Sequence, residues 1–247
     1  MKNSELYLSI IIPAYNEAER IFKTLRRISF YLQTQPYSYE ILVVCDGSKD
    51  NTADIVRDLQ LQIPNLRLID RKQNKGKGYT VKEGMLAAKG KIRLFTDADN
   101  STDISYFEQM RPFFDKSYDL VISTRDPKDA KGASQEVPQP WYKRLMGNMG
   151  NLYIQIMAVP GIWDTQNGFK AFRDYVAEKI FKLTKINRWA FDVEILALAR
   201  KSGYKIGIIP IHWINDPHSH VKLFSYFKVL LDVLRIRLNL MKGKYDE

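Results

Sequence analysis

Short apolar runs alternate with helical spacings through the first half of the sequence, and this order limits the possible folds more than any other feature. The runs are Leu8 to Pro13, Glu40 to Cys45, Leu66 to Ile69, Ile92 to Thr96 and Leu120 to Ser123. Between them, Ile21, Leu25, Ile28 and Leu32 share one helical face, and Ile55, Val56 and Leu59 share another. Thr80 to Ala88 and Tyr106 to Phe114 read as further helices. Continuous apolar strands separated by helices are βαβ units, because parallel neighbours need a crossover and are covered on both faces. Asn16 followed by Glu19 predicts a capping box at the first helix.

The character changes after Arg125. Asp126 to Pro140 is polar and predicts a loop, and Trp141 to Ala158 predicts a helix with Arg144 and Asn148 on one face. Phe191 to Lys201 reads as a helix and Ile206 to Ile211 as a strand. From Lys222 the chain is basic and helical, with Leu223, Phe227, Leu230, Leu231, Leu234, Leu238 and Met241 on one stripe flanked by Lys228, Arg235, Arg237, Lys242 and Lys244. That pattern suits a helix lying in a membrane interface, with the catalytic domain or a second subunit as the other surfaces it would fit. The expected organisation is a catalytic domain over 1–221 and a basic amphipathic helix over 222–247. The longest uncharged stretch, Leu145 to Trp163, is broken by glycines, asparagines and Pro160 and makes a poor membrane span.

Composition narrows the partners. The chain is 45% hydrophobic, which excludes a disordered protein, and 38 basic against 28 acidic residues give a net charge of +10. Such a surface attracts nucleic acid, an anionic membrane or phosphorylated substrates. The single cysteine, Cys45, has no partner for an internal disulfide, and Met1 to Glu5 carries no apolar signal core, so a cytoplasmic setting is expected.

Ligands of an open parallel sheet bind beyond the carboxyl ends of its strands. Three strands of the first half end in polar groups there: Pro13-Ala14-Tyr15-Asn16-Glu17, Cys45-Asp46-Gly47-Ser48 and Thr96-Asp97-Ala98-Asp99. Their carboxylates therefore converge on one edge. Asp97 and Asp99, one residue apart, suit a hard divalent cation whose remaining positions are filled by diphosphate oxygens. No G-x-G-x-x-G follows the first strand, which argues against a dinucleotide oxidoreductase, and Gly76-Lys77-Gly78 lacks the spacing of a P-loop. A basic glycine turn before a helix still suits phosphates or a nucleobase.

Taken in order, Ile12-Pro13-Ala14-Tyr15-Asn16-Glu17, Val43-Val44-Cys45-Asp46-Gly47-Ser48, Gly76-Lys77-Gly78 and Asp97-Ala98-Asp99 resemble the signature of family 2 glycosyltransferases with the GT-A fold. Asp164-Thr165-Gln166-Asn167-Gly168-Phe169-Lys170 and Arg188-Trp189-Ala190-Phe191-Asp192-Val193-Glu194 are similar to the dolichyl-phosphate β-glucosyltransferase branch, with dolichol-phosphate mannose synthases as close cousins. The resemblance implies a Rossmann-like, mostly parallel central sheet flanked by helices, with the C-terminal amphipathic helix appended. It assigns Pro13, Tyr15, Glu17, Asp46, Gly76, Lys77, Gly78, Asp97 and Ala98 to the donor nucleotide, and Asp97 and Asp99 to Mg²⁺ or Mn²⁺. It places Arg125, Arg144, Asn148 and Lys222 at an acceptor phosphate, and Gln166, Asn167, Gly168, Trp189 and Glu194 on a sugar-facing or active-site loop; the other readings are that Asp192 and Glu194 cap and orient the helix that follows and that Trp189 is core. The chain departs from the pattern at Ser101, where mannose synthases can offer a glutamine, and at His218-Ser219-His220-Val221-Lys222, where relatives often read Gly-Ser-Lys.

The implied reaction moves a hexose, glucose before mannose, from UDP-glucose or GDP-mannose to a polyprenyl or dolichyl phosphate with inversion. Asp99, Arg125, Arg144 and Asp192 are its catalytic candidates. A transferase acting on a sugar hydroxyl is the alternative, and Asp192 would then be its general base. A non-catalytic nucleotide-sugar-binding protein would keep the donor residues alone. Nucleic acid is disfavoured, because the acids gather where a phosphate backbone would be repelled. The expected location is the cytoplasmic face of a membrane, peripherally bound, with a homodimer as a further possible assembly.

Overall fold

The computed structural model describes residues 5–135, 141–213 and 223–246, with side chains from Gly147 and Phe227 onward in the last two segments. A seven-stranded sheet forms its centre, in the order β3-β2-β1-β4-β7-β5-β8. These strands are β1 (Leu8–Ala14), β2 (Tyr39–Asp46), β3 (Leu66–Arg71), β4 (Ile92–Thr96), β5 (Leu120–Thr124), β7 (Phe169–Arg173) and β8 (Ile206–Pro210). All run parallel except β7, which lies antiparallel between β4 and β5.

Every residue of β1 and β4 is buried, as strands covered on both faces require. Side chains alternate between the two faces: Leu8, Ile10 and Ile12 of β1 join one core, and Ile11 joins the other. On the first face lie α1 (Ile21–Gln33), α2 (Thr52–Gln60) and α4 (Phe107–Asp115). The second is covered by α3 (Lys77–Ala87), α5 (Trp141–Met157), α6 (Asp174–Leu183), α7 (Phe191–Lys201) and α8 (Leu223–Met241). Helix α1 buries Ile21, Leu25, Ile28 and Leu32, each worth about 1.5–3 kcal/mol when fully buried.

Several expectations need correcting. Asn16 does not cap α1: it has φ 56°, its side chain accepts the Lys49 N–H at 2.8 Å, and the α1 N-cap, Arg20, makes no side-chain cap bond. Strand β7 and helix α6 are additional elements. The polar segment after Arg125 runs through turns as a loop, with the short strand β6 (Ser134–Gln135), which pairs in parallel with β9 (His212–Trp213), as an addition.

The chain steps outward from β1 through β2 to β3, then crosses to β4 on the other side of β1. This places the reversal of strand order, where ligands bind in such sheets, between the carboxyl ends of β1 and β4. The register Thr96↔Phe169 then brings Gly168, just before β7, beside Asp97, just after β4.

Candidate active site

The loops after β1, β2 and β4 meet at that edge. Asn16 N–H donates to Ser48 Oγ at 3.1 Å and Glu17 N–H to Thr52 Oγ1 at 2.8 Å, so the first two loops hold each other. Tyr15 remains exposed, Pro13 is buried, and Glu17 pairs with Arg20 at 2.6 Å. Burial pushes the Glu17 carboxyl up to about 7 against the pull of Arg20, with Asp99 and Asp97 adding to the rise.

The diacid turn is anchored through buried Ala98, whose carbonyl accepts the Thr24 hydroxyl at 2.7 Å. Asp97 Oδ1 lies 2.6 Å from Lys77 Nζ, and Asp99 Oδ1 accepts the Ser101 N–H at 2.9 Å. Burial raises the Asp99 carboxyl, and the charge on Asp97 raises it further. A Cβ on Gly168 would stand 2.1 Å from Asp97 Oδ2, so only glycine lets β7 approach this carboxylate. The pair lines a cleft of about 60 Å³ with Thr96, Ser101 and Thr102, all hard oxygen donors of the kind Mg²⁺ and Mn²⁺ take. Among the described residues no third His, Cys, Asp or Glu joins the pair in a cluster.

Asp46 is buried beneath the glycine turn. Its Oδ1 accepts the Lys75 N–H at 2.7 Å and its Oδ2 accepts the Gly76 N–H at 2.8 Å, while Arg71 pairs with Oδ1. It therefore shapes the turn from below. The glycines are explained by protein contacts: a Cβ on Gly76 (φ 99°) would meet Asn187 O at 2.4 Å, and one on Gly78 would meet Ile186 O at 2.6 Å. Between them Lys77 reaches Asp97, and its ammonium stands 5.4 Å over the ring of half-exposed Trp189. Burial pulls the Lys77 ammonium down, but Asp97, Asp192 and Asp99 outweigh it and hold the pKa above its usual value.

The opposite wall belongs to Arg125, just after β5. Its Nε and Nη2 donate to the two oxygens of Asp164 at 2.8 Å each, its backbone N–H makes a third bond to Asp164, and the guanidinium lies 5.1 Å over Trp213. Burial alone would raise the Asp164 carboxyl, yet Arg125 outweighs it and holds the carboxyl below the usual range. Asp129 braces the assembly by accepting the Trp163 and Asp164 N–H groups at 2.7 and 2.8 Å and the Thr124 hydroxyl at 2.9 Å. Arg125, Asp126, Gln135, Asn151, Asp164 and Gln166 line a second cleft of about 100 Å³. Arg125 and Gln166 line both clefts, which therefore share a boundary.

Not every candidate reaches this edge. Asn148 is exposed, and Asn151, nearly one turn further along α5, lines the second cleft. The Arg144 side chain and Lys222, with His218 and His220, lie outside the described residues. Asn167 and Gly168 line the first cleft, but Asp192 is buried against Lys170 at 2.5 Å, and Lys170 also donates to the Asn167 carbonyl. Burial raises the Asp192 carboxyl against the pull of Lys170 and Lys77. Glu194 is wholly buried and faces the 185–186 backbone instead of either cleft. Sequence reasoning missed Asp129, Gln135, Asn151 and Trp213. Only Asn151, one turn from Asn148, carried a helical-spacing signal.

The model of glycosyl transferase family 2 matches residues 9–181. A dolichyl-phosphate beta-glucosyltransferase of Dictyostelium discoideum is 35% identical over 96% of this chain and 76% of its own length. One from Saccharomyces cerevisiae is 34% identical over 99% of this chain and 78% of its own. Among solved structures, mannosyl-3-phosphoglycerate synthase from Rubrobacter xylanophilus superposes with a TM-score of 0.70 at 18% identity, covering 98% of this chain and 76% of that one. Glucosyl-3-phosphoglycerate synthase from Mycobacterium tuberculosis, solved with UDP, gives 0.65 at 18% identity over 95% and 79%. With the family model spanning more than half its length and relatives above 30% identity spanning nearly all of it, this chain belongs to the family 2 glycosyltransferases.

Proposed function

We propose that the protein transfers glucose from UDP-glucose to a dolichyl or related polyprenyl phosphate, with inversion at the anomeric carbon. The observation that carries this reading is the shared boundary of the two clefts: an acidic, metal-suited cleft meets a polar one at Arg125 and Gln166. The names of the relatives supply the substrates.

In the proposed reaction an acceptor phosphate oxygen forms the new bond to the anomeric carbon as the bond to the donor diphosphate breaks. Arg125 orients the acceptor, its fork held by Asp164 and its plane by Trp213, so its contribution is positioning. The acceptor needs little proton removal, because a phosphate monoester with a second pKa of about 6 is largely ionised at neutral pH. This suits a site in which Asp192 is committed to Lys170. Lys77, seated between Asp97 and Trp189, would meet the donor phosphates. Asp97 and Asp99 would hold Mg²⁺ or Mn²⁺, which when bound supplies Lewis-acid stabilisation of the leaving diphosphate.

We place the protein peripherally on the cytoplasmic face of a membrane. Among the described residues no helix is long and apolar enough to cross a bilayer. Helix α8 has two apolar faces: Val233 and Ile236 are buried in the core, whereas Phe227, Leu231 and Met241 are 65%, 67% and 71% exposed. The neighbouring α5 exposes Met149, Leu152 and Ile156. A lipid-linked acceptor gives these faces a surface to lie on, and homodimer formation is the other use for them.

The decisive experiment offers UDP-glucose and GDP-mannose, each with a short polyprenyl phosphate, and identifies the products by chromatography. Glucosyl-phospholipid from UDP-glucose is expected. Transfer only from GDP-mannose, or only to a free sugar hydroxyl, overturns the assignment.

A further inference from the structure

Outside both clefts, one fully buried carboxylate ties together three parts of the chain. Glu194, in the first turn of α7, accepts the Lys185 N–H at 2.9 Å and the Tyr245 hydroxyl at 2.6 Å on Oε1, and the Ile186 N–H at 2.9 Å on Oε2. Tyr245 follows the end of α8, is itself buried, and lies 3.4 Å from the amide of buried Asn239. The C-terminal segment is thereby fastened to the connection between α6 and α7.

That connection is the surface on which the donor turn rests. Ile186 O and Asn187 O occupy the space that side chains at Gly78 and Gly76 would need, and the Tyr79 N–H donates to Asn187 O at 3.2 Å. From the same turn Lys77 extends to Asp97. A shift of residues 185–187 by a few tenths of an ångström must move the turn with it, because no side chain intervenes to absorb the displacement. Two backbone hydrogen bonds to one buried carboxylate fix that position, and the Tyr245 hydroxyl in turn holds the carboxylate.

We propose that Glu194 and Tyr245 are positioning residues of the donor site: through residues 185–187 they set the Gly76–Gly78 turn and Lys77 at the height that receives a nucleoside diphosphate. The proposal rests on the reading of that turn as the donor site. It gives the end of the chain a role in donor affinity, although Tyr245 touches neither cleft.

The test uses the full chain, with UDP and GDP binding measured by calorimetry and KM determined separately for donor and polyprenyl phosphate. Tyr245→Phe removes a single hydroxyl, and Glu194→Gln places an amide N–H against a backbone N–H. Each should raise the nucleotide Kd and the donor KM roughly tenfold, the scale of a modest coupling between sites, with acceptor KM and kcat within about twofold. Met110→Ala, which opens a cavity on the opposite face of the sheet, is the control: it should lower the melting temperature without moving nucleotide affinity. If Glu194→Gln fails to fold, Tyr245→Phe carries the test. Unchanged nucleotide affinity in Tyr245→Phe, or an equal loss in Met110→Ala, overturns the proposal while leaving the donor site standing. Native protein that binds neither nucleotide overturns both.

Discussion

Arg125 is gripped by Asp164 through three hydrogen bonds of 2.8 Å, two from its guanidinium fork and one from its backbone. The arginine that faces both clefts is thus fixed before any substrate arrives. Asp164→Asn should leave nucleotide binding intact while lowering transfer on the order of tenfold to a hundredfold, because the fork loses its orientation. Calorimetry and chromatographic product analysis separate the two effects; full transfer by this variant would remove Arg125 from the acceptor site.

Loss of Arg125 itself should be more severe. Arg125→Ala leaves the Asp164 carboxylate buried without its partner, a situation that costs about 3–5 kcal/mol of stability. Activity should fall by more than in Asp164→Asn when both are assayed below their melting temperatures, and nucleotide affinity should stay near the native value.

Asp99 tests the proposed metal site. Excess chelator should abolish transfer and Mg²⁺ or Mn²⁺ should restore it, and Asp99→Asn should be folded but nearly inactive, consistent with the loss of several kcal/mol of charge stabilisation. Turnover that continues in chelator would contradict this.

Glu17 makes a pH prediction. Its folded pKa of about 7 stands above the ordinary 4.5, so the native state binds the proton more tightly than the unfolded chain. Its contribution to stability is complete below about pH 4.5 and is lost as the pH rises through 7. Glu17→Gln should therefore melt at a higher temperature than the native protein at pH 8, and the difference should shrink toward pH 5. A melting series across this range checks the sign.

For α8, flotation with anionic vesicles at low salt should carry the protein upward, and Leu231→Ser with Phe227→Ser should leave it in the lower fraction. Each basic residue near such a surface contributes about 1 kcal/mol, so added salt should also weaken binding. A protein that stays down and elutes as a dimer would assign this face to a second copy.

The sequence made the parallel half of the sheet readable because Leu8 to Pro13 and Ile41 to Cys45 are uncharged, largely apolar runs and Ile92 to Thr96 carries a single charge, Arg93, and the three acidic loops follow from their strand ends. Strand β7 went unread: its fully buried cation, Lys170, is partnered by Asp192 on α7 and the Asn167 carbonyl, which no local pattern announces. Helix α6 was legible in Val176, Ala177, Ile180 and Phe181 at helical spacing but lies between the recognisable motifs. The second cleft was half visible. Arg125 sits at a strand end, but Asp129, Gln135 and Trp213 are brought to it by hydrogen bonds and a two-residue ladder that no local pattern announces.

The antiparallel β7 also dictates an order of assembly. Strands β4 and β5 are close in sequence, yet the slot between them is filled by residues 169–173. A growing chain that has reached Thr124 can pair β1 to β4 but leaves β4 as an open edge and β5 without a neighbour. Such an edge is a template for the wrong partner until Arg173 has been made. On that order of synthesis the two halves of the proposed site stay apart: the acidic loops can form early, and Arg125 meets them only once β7 closes the gap.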